Sequence, residues 1–330
     1  MGRPHGLAAA PVTAVRELPE RAMRSALLSL SRRPRLGRLA TRLPVTRRMV
    51  ERFVAGETLA DALEALDRLR AAGLRTTVDV LGESVTSEAA ASSSAERYLE
   101  LLDALAGRGL DGNVSLKLSQ MGLGLSPELC RANVARIFTM AATTGAFVRI
   151  DMEDHASTDA TLAMWRELRP LNPASGVVIQ AALRRSADDV AALIAERAPI
   201  RLCKGAYREL ASVAYPTKSE VDESYLALLT RLLREGASPA LATHDPRMIR
   251  AATDLVEREG LRRDQFEFQM LFGIRRDLQQ QLVAAGYRVR IYVPFGREWY
   301  PYFMRRLAER PANVMFVLRS VTREERVRPA

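Results

Sequence analysis

Cysteine and lysine are both scarce in this sequence of 330 residues. The two cysteines, Cys130 and Cys203, lie far apart, and neither belongs to a Cys-x-x-Cys pair. This arrangement indicates neither a disulfide framework nor a zinc site, so we interpret both as buried small side chains. Only three lysines accompany 46 arginines. Because an ammonium is more compact than a guanidinium, we expect the remaining lysines where a narrow site needs a point charge.

Signals of several common protein classes are also missing. No apolar run approaches the roughly 20 residues that span a bilayer, and Pro4, His5 and scattered charges replace the apolar core of a signal peptide. We therefore expect a soluble, cytoplasmic protein. No His-x-His or His-Glu-x-x-His pattern indicates a metal, and no Gly-x-Ser-x-Gly turn indicates a nucleophilic serine. The stretch Gly122-Leu-Gly-Leu-Ser-Pro lacks the third glycine of a dinucleotide-binding fingerprint, so a nucleotide cofactor would be held by other means.

The positive charge is concentrated at one end of the chain. The net charge is +10, and residues 1–57 hold twelve arginines against four glutamates, which gives +8. Residues 13–60 are predicted to form two or three helices with breaks at Pro34 and Pro44. Such an arm could pack on the main domain, or contact anionic lipid or nucleic acid. We prefer packing, keep a peripheral contact with the inner face of the cytoplasmic membrane as the alternative, and expect no nucleic-acid partner.

Short β-branched runs, each followed by a helical pattern, recur along the rest of the chain. Eight strands are predicted, at Thr76–Leu81, Asn113–Leu118, Ala146–Met152, Gly176–Ala181, Pro199–Lys204, Ser238–Thr243, Phe266–Leu271 and Arg288–Val293. Eight strand–helix units in about 250 residues fit an α/β fold of the (β/α)8 barrel type. We therefore predict an N-terminal helical arm at residues 1–60 and a barrel at residues 61–330.

The carboxyl ends of these strands are rich in polar residues, and in such barrels the chemistry collects there. The residues at these ends are Glu83, Lys117, Asp151, Gln180, Arg201 to Tyr207, Thr243, His244, Gln269, Leu271 and Tyr292. The last strand leads into a helix with Tyr302, Arg305 and Arg306, which forms either a receptor for a small carboxylate or a solvated arginine face. The strand ends indicate a site without defining its reaction.

Two lysines at strand ends leave several functions open. Lys117 and Asp151 follow neighbouring strands and could form an ion pair at the barrel mouth. Lys117 alone is compatible with a Schiff-base nucleophile, a carboxylate ligand or a structural cation. Lys204 precedes Gly205, which lets the backbone approach a ligand, so this pair forms either a cationic binding loop or a simple turn. The non-enzymatic alternative is a module that binds membranes or nucleic acid through the arm.

Five segments, in order along the chain, carry a specific resemblance. They are Val114-Ser-Leu-Lys-Leu-Ser-Gln, Arg201-Leu-Cys-Lys-Gly-Ala-Tyr, Ala242-Thr-His, Phe266-Glu-Phe-Gln-Met-Leu-Phe-Gly, and Arg290-Ile-Tyr-Val-Pro through Arg305-Arg306-Leu-Ala-Glu. Over roughly residues 50–320 the chain resembles the proline dehydrogenase family, in particular its short monofunctional bacterial type. The resemblance implies a distorted (β/α)8 TIM-type barrel that holds FAD without a Rossmann domain. It also implies oxidation of L-proline to pyrroline-5-carboxylate, with a hydride passing from substrate carbon 5 to flavin N5 and electrons passing to a membrane quinone.

The resemblance also implies roles for the matching residues. Asp151 and Arg201 match catalytic positions. Proline would contact Lys117, Arg305 and Arg306 through its carboxylate and Tyr292, Tyr302 and Leu271 through its ring, while Glu83 pairs with the first tandem arginine to close the site. The positions that match FAD-binding residues are Met152, Gln180, Arg201, Lys204, Gly205, Ala206, Thr243 and His244.

Two positions depart from the family pattern. Ala182 stands where an aromatic residue is expected, which puts the packing near the adenosine end of FAD in doubt, and Cys203 stands where valine is frequent. Neither departure removes a charged residue of the expected site. The alternative enzyme is a Schiff-base lyase or aldolase on the same barrel, with Lys117 or Lys204 as its nucleophile.

Overall fold

Eight strands that alternate with helices form the main unit of the chain. The computed structural model describes residues 50–207 and 209–309. It contains two compact units, of which one is Phe53–Arg297. Of the other, the structure describes residues 50–52 and 298–309. The predicted arm therefore lies outside the described residues as far as position 49, and the domain boundary at residue 60 stays a prediction.

All eight predicted strands are present, and they close into a parallel barrel in chain order. The strands are β1 (Arg75–Val80), β2 (Asn113–Leu116), β3 (Phe147–Ile150), β4 (Gly176–Gln180), β5 (Ile200–Cys203), β6 (Ala240–Ala242), β7 (Glu267–Leu271) and β8 (Val289–Phe295). β8 pairs with β1 in parallel and completes the ring. The predicted (β/α)8 barrel is therefore confirmed.

The predicted strand ends differ from the observed ones at several places. Leu118 was assigned to the second strand, but it opens a one-turn helix after Lys117. The eighth strand continues through Pro294 to Phe295, two residues past its predicted end. Pro294 and Phe295 pair with Asp79 and Val80 of β1, so the strand continues although proline has no amide to donate.

In the described part of this unit, nine helices between Leu59 and Ala284 connect the strands or precede them. They are α1 (Leu59–Ala71), α2 (Glu88–Gly107), α3 (Leu118–Met121), α4 (Pro127–Thr144), α5 (Thr158–Leu168), α6 (Ser186–Ala195), α7 (Lys218–Glu235), α8 (Pro246–Glu259) and α9 (Arg276–Ala284). Single 3-10 turns at His155–Ser157 and Arg169–Leu171 flank α5. In the second unit, α10 spans Trp299–Glu309. None of the helices among the described residues is long and apolar enough to cross a bilayer.

Local sequence fixes where several of these helices begin. Thr58 accepts a hydrogen bond from the Asp61 amide, and the Asp61 carboxylate accepts one from the Thr58 amide in return. Thr217 and Glu220 form the same reciprocal cap at the start of α7. These caps satisfy amides that have no partner within the helix, so they fix the residue at which each of the two helices begins.

The strands separate apolar from polar side chains. In β1, Val78 and Val80 belong to the hydrophobic core, whereas Thr77 and Asp79 join hydrogen-bonded groups of neighbouring strands. Because side chains alternate along a strand, the second set points into the barrel. Branched apolar residues commonly fill barrels of this type. Here polar and charged side chains occupy much of the interior.

The interior side chains include three buried arginines, Arg149, Arg201 and Arg290. Arg290 donates to Glu267 at 2.8 Å and to Asp111 at 2.6 Å, and Arg149 donates to the carbonyls of residues 177 and 199. Burial, aided by the charges of Arg201 and Arg290, lowers the pKa of Arg149 well below its usual range. The interior is therefore held together by pairing and hydrogen bonding as well as by apolar contact.

Both cysteines occupy shielded positions. Cys130 is fully buried in the core, and Cys203 is partly buried and packs against it. Burial raises the pKa of both thiols to about 12, so both remain protonated at neutral pH. The interpretation of both residues as buried small side chains is confirmed for Cys130, whereas Cys203 is only partly buried.

Candidate functional site

Lys117 lies at the carboxyl end of β2, inside a group of charged side chains. It has extended backbone angles and precedes the one-turn helix α3. Its ammonium donates to both carboxylate oxygens of Asp79 at 3.0 Å. Asp151 Oδ2 lies farther away, at 3.9 Å, and the Tyr292 hydroxyl lies at 3.4 Å. The anticipated pair with Asp151 is present, but Asp79 is the nearer partner of Lys117.

Asp151 links two further strands. It follows β3, and its amide donates to the carbonyl of Leu116 at 2.8 Å, which fixes its backbone beside β2. Oδ1 accepts a hydrogen bond from Arg201 at 2.7 Å, and Oδ2 accepts one from the Tyr292 hydroxyl at 2.8 Å. Both oxygens of this carboxylate are therefore engaged with residues of β5 and β8.

The guanidinium of Arg201 is held on every nitrogen. Nε donates to Gln269, Nη1 to Asp151, and Nη2 to Ser115 Oγ at 2.9 Å. The guanidinium carbon also lies 5.3 Å from the centre of the Tyr292 ring, within cation–π range. Arg201 is thus a fixed, largely buried positive charge at the carboxyl end of the barrel.

The electrostatics of this group define its protonation states. Burial lowers the pKa of Lys117, but Asp79, Asp151 and Glu83 outweigh it and hold that pKa above its usual value. Burial, together with the charges of Asp151 and Asp79, raises the pKa of Tyr292 well above its usual range. At neutral pH the Lys117 ammonium is therefore charged. The Tyr292 phenol stays protonated and donates a hydrogen bond to Asp151.

A second charged cluster lies beyond the ends of β5 and β6. Lys204 contacts the carboxylates of Asp222 and Asp245, the latter at 2.9 Å. Arg247 contacts the same two carboxylates, and Lys218 contacts Asp222 at 2.6 Å. Three cations therefore surround two carboxylates, which leaves one excess positive charge and suits an anionic ligand.

Burial raises the pKa of Asp222, but hydrogen bonds from Lys204, Lys218 and Arg247 outweigh it and lower the pKa to about 2. Hydrogen bonds from Arg247 and Lys204 likewise overcome the effect of burial on Asp245 and hold its pKa below the usual range. Both carboxylates are therefore ionised at neutral pH, and the excess charge of the cluster stays positive.

Backbone geometry brings further predicted residues beside this cluster. Gly205 has a φ of +109°, and a Cβ added there would lie 3.0 Å from Ala182 Cβ. The Ala182 amide donates to the carbonyl of Lys204 at 2.8 Å, so the position that lacks the expected aromatic residue lies directly against this loop. Ala206 is exposed. The loop therefore exposes its backbone at Gly205, where glycine permits a positive φ.

The remaining cofactor candidates occupy neighbouring strand ends. Gln180, at the end of β4, donates to the carbonyl of Glu153 at 2.7 Å, and Met152 is buried after β3. Thr243 Oγ1 accepts a hydrogen bond from the Asp245 amide at 3.0 Å. His244 Nε2 accepts from the Leu271 amide at 2.8 Å, which links a predicted cofactor residue to a predicted substrate residue.

The predicted substrate residues divide between the two units. Lys117 and Tyr292 come together in the barrel, Leu271 ends β7, and Glu83 lies close enough to raise the pKa of Lys117. Tyr302, Arg305 and Arg306 belong to α10 of the other unit, where the Arg306 guanidinium lies 5.1 Å from the Tyr302 ring. A joint carboxylate site that combines the two groups stays a prediction.

Several residues of the site were not assigned a role from the sequence. Asp79 is the residue that the sequence could most readily have indicated, because a carboxylate inside an apolar strand is rarely fully buried without a partner. Its position next to Val78 and Val80 was a usable signal. Gln269 was recognised as a polar strand end, but its contact with Arg201 was not anticipated. Asp222 and Asp245 lie on the segments after β5 and β6, where sequence offers no pairing rule.

The chain is similar to known proteins over most of its length. The family model described as "Proline dehydrogenase" matches residues 62–319. The chain is 42% identical over 303 residues to a proline dehydrogenase of Deinococcus radiodurans, covering 90% of this chain and 97% of that protein. It is 41% identical over 279 residues to proline dehydrogenase 1 of Bacillus subtilis, covering 84% of this chain and 92% of that protein.

A solved structure extends the comparison to the fold. The proline utilization A (PutA) protein of Bdellovibrio bacteriovorus, inactivated by N-propargylglycine, matches with a TM-score of 0.74 and 28% identity. The match covers 79% of this chain and 32% of that protein. The chain therefore spans about a third of that longer protein, and the similarity concerns one part of it.

Proposed function

The chain belongs to the proline dehydrogenase family of flavin-dependent oxidoreductases, and we propose that it oxidises L-proline to pyrroline-5-carboxylate with bound FAD. The observation that carries this proposal is the group formed by Lys117, Asp151, Arg201 and Tyr292 at the carboxyl end of the barrel. It combines a fixed cation for a carboxylate ligand with a second fixed cation beside it. Proline catabolism is the corresponding process.

The charged cluster around Lys204 fits an anionic cofactor. Its excess positive charge and the exposed backbone at Gly205 suit the phosphates of FAD. In the proposal, FAD is held by Met152, Gln180, Arg201, Lys204, Gly205, Ala206, Thr243 and His244. Lys204 and Arg247 would then donate hydrogen bonds both to the phosphates and to the carboxylates of Asp222 and Asp245.

When bound, the flavin would accept a hydride from substrate carbon 5 at its N5 and deliver the electrons to a quinone. The protein supplies orientation and charge. Arg201 provides a positive charge in a fixed position, because all three of its guanidinium nitrogens donate hydrogen bonds, to Asp151, Gln269 and Ser115. Such preorganised charge stabilises negative charge that develops during a reaction without the cost of reorganising solvent.

The proposed substrate contacts combine charge with an aromatic wall. Lys117, Arg305 and Arg306 would bind the proline carboxylate, and Tyr292, Tyr302 and Leu271 would contact the ring. Glu83 would pair with Arg305 when the site closes. The cationic state of Lys117 supports the first assignment, because a charged ammonium is a strong carboxylate ligand.

The Schiff-base lyase is not favoured. A nucleophilic lysine has to lose its proton, which requires a lowered pKa. The carboxylates around Lys117 raise its pKa instead, and Lys204 contacts two carboxylates of its own. Neither lysine therefore has the environment of a neutral amine nucleophile.

The electron acceptor and the arm belong together in the proposal. A quinone dissolves in the membrane, so a basic arm at residues 1–57 could bring the enzyme to an anionic lipid surface. The arm lies outside the described residues up to position 49. Packing of the arm against the main unit is the interpretation that we prefer, and the membrane contact is its alternative.

Anaerobic titration of the purified protein tests the function. The protein should be yellow, and L-proline should bleach its flavin absorbance, whereas pyrrolidine, which lacks the carboxylate, should do so far more slowly. A colourless protein that does not take up FAD would refute the cofactor assignment. A flavoprotein that proline leaves unbleached would refute the substrate, and a lysine trapped by borohydride with a carbonyl substrate would favour the lyase.

A further inference from the structure

Asp79 is the side chain nearest to the Lys117 ammonium, and it lies deeper in the protein than the other acidic residues of the site. It occupies the fifth position of β1 and is 1% exposed. Both of its oxygens lie 3.0 Å from Lys117 Nζ. The buried Tyr98 hydroxyl lies 3.3 Å from Asp79 Oδ1 and donates to the carbonyl of Ser115 at 2.7 Å. Asp79 is thus a buried, fixed partner behind Lys117.

Asp151 competes with Asp79 for the same ammonium. Its Oδ2 lies 3.9 Å from Lys117 Nζ, yet that oxygen already accepts a hydrogen bond from Tyr292. Its Oδ1 accepts from Arg201. A shift of the ammonium onto Asp151 would therefore weaken the contacts that hold Tyr292 and Arg201.

We infer that Asp79 is a positioning residue that draws the Lys117 ammonium away from Asp151, and so leaves Asp151 to hold Arg201 and Tyr292. This inference rests on the proposed function, in which Lys117 contacts the substrate carboxylate and Arg201 serves the flavin. The two carboxylates then have separate tasks. Asp79 sets the position of the substrate-binding cation, and Asp151 sets the positions of the arginine and the tyrosine.

A purely structural ion pair is the alternative explanation for Asp79. Buried pairs of this kind contribute little net stability, because the cost of removing both charges from water offsets their attraction. If Asp79 served only the fold, its neutralisation should change the free energy of unfolding and leave ligand affinity unchanged, even with Lys117 in place. A positioning residue should instead act on the ligand only while Lys117 is present.

A double-mutant cycle separates these two roles. Asp79→Asn, Lys117→Met and the double variant are compared with the wild type, each loaded with FAD. The measurements are kcat and KM for L-proline with a soluble dye acceptor, and the affinity for cyclopentanecarboxylate from the perturbed flavin spectrum. This probe keeps the ring and the carboxylate of proline but lacks the reacting nitrogen.

Asp79→Asn should lower kcat/KM and the affinity for the probe on the order of tenfold, which is common for residues within one hydrogen-bonded network, with flavin content unchanged. In the Lys117→Met background the same substitution should change either quantity by less than about twofold. Equal losses with and without Lys117 would overturn the inference. So would wild-type values in Asp79→Asn.

Thr76→Val is the matched control, because Thr76 is buried in the same strand and its side chain alternates to the opposite face. It should leave kcat/KM within about twofold of the wild type, as expected for a site that shares no partners with Lys117. If Asp79→Asn alone does not fold but the double variant does, a change of more than about twofold in probe affinity between Lys117→Met and the double variant still overturns the inference. A double variant that fails to fold when Lys117→Met folds would assign Asp79 a structural role and refute the inference.

The same experiment keeps the two proposals apart. Wild-type protein without proline-dependent activity would refute the proposed function. The affinity for cyclopentanecarboxylate would still decide the role of Asp79, because that measurement depends on binding and not on turnover.

Discussion

Arg201 Nη1 donates a hydrogen bond of 2.7 Å to Asp151 Oδ1. This bond joins β5 to the end of β3, although β4 lies between these two strands in the barrel. Because Asp151 also accepts from Tyr292, a single carboxylate orients side chains from two other strands. Loss of its charge should therefore affect both the stability and the chemistry of the site.

Asp151→Asn should destabilise the fold by about 3–5 kcal/mol, because it removes one partner of a buried pair and leaves the Arg201 charge poorly compensated. Turnover of proline should fall as well. Urea unfolding and dye-coupled kinetics measure the two effects. Asp159→Asn is the control, since Asp159 pairs with Arg185 but is 84% exposed, so solvent screens the pair and its loss should change the unfolding free energy little. Equal, small losses in both variants would contradict the prediction.

Lys117→Met should raise the KM for proline while FAD remains bound. The variant removes one charge-assisted contact to the carboxylate, worth about 1.5–3 kcal/mol, and does not alter the cluster around Lys204. Steady-state kinetics and the flavin-to-protein ratio test this expectation. Arg136→Met, which removes an exposed cation on α4, should leave both quantities unchanged. Undiminished affinity of Lys117→Met for cyclopentanecarboxylate would refute the assignment.

Lys204→Met should weaken FAD retention more than Lys218→Met. Both lysines contact Asp222, but the Lys204 side chain is 25% exposed and the Lys218 side chain is 72% exposed, so solvent screens the second charge more strongly. Equilibrium dialysis or quenching of flavin fluorescence gives the two dissociation constants. A larger loss in Lys218→Met would move the proposed phosphate contact from the β5 end to α7.

The stability of the fold should depend on the ionisation of Asp222 in acid. Its pKa is lowered from 3.8 to about 2 in the folded protein, because three cations outweigh the effect of burial. The carboxylate therefore stabilises the fold above about pH 4, and this contribution, on the order of 2 kcal/mol, is lost as the pH falls toward 2. Unfolding free energies of the wild type and Asp222→Asn should thus differ most above pH 4 and converge below it. A difference that grows on acidification would contradict the sign.

Removal of residues 1–45 should abolish any binding to anionic vesicles but preserve proline oxidation with a soluble dye, since every proposed site residue lies beyond them. Vesicle binding by the full chain should weaken sharply with added salt if the charge of the arm drives it. Absence of vesicle binding at low salt would support packing of the arm. Loss of dye-coupled activity, with FAD retained and the protein folded, would mean that the arm helps to shape the active site.

Periodicity predicted the barrel well because its strands are short, apolar on one face and separated by clear helical patterns. It predicted the strand ends less well. Leu118 continues the alternation of Val114 and Leu116, and only the turn into α3 separates it from β2. The polar residues at the strand ends were identified because barrel topology gathers those ends at one face.

The pairing of side chains within the site was harder to predict. Lys117 and Asp79 are 38 residues apart in sequence, and Arg201 and Gln269 are 68 apart, so no local pattern connects them. A resemblance to a family supplied the roles of Lys117 and Arg201, but it did not identify what holds them. The carboxylates of Asp222 and Asp245 were missed for a different reason. They lie near the starts of helices, whereas the search for site residues was confined to strand ends.

The polar interior of the barrel also restricts how its strands can slide past one another. Asp79, Ser115, Arg201 and Gln269 occupy inward positions of four strands and are linked by hydrogen bonds directly or through one neighbour. A slip of one residue in any of these strands would turn its polar side chains into the apolar layer beneath the helices and its valines and leucines into the charged interior. In an apolar barrel such a slip exchanges one hydrophobic contact for another. Here it would bury unpaired charges, so the network that serves the site also excludes shifted pairings of the sheet.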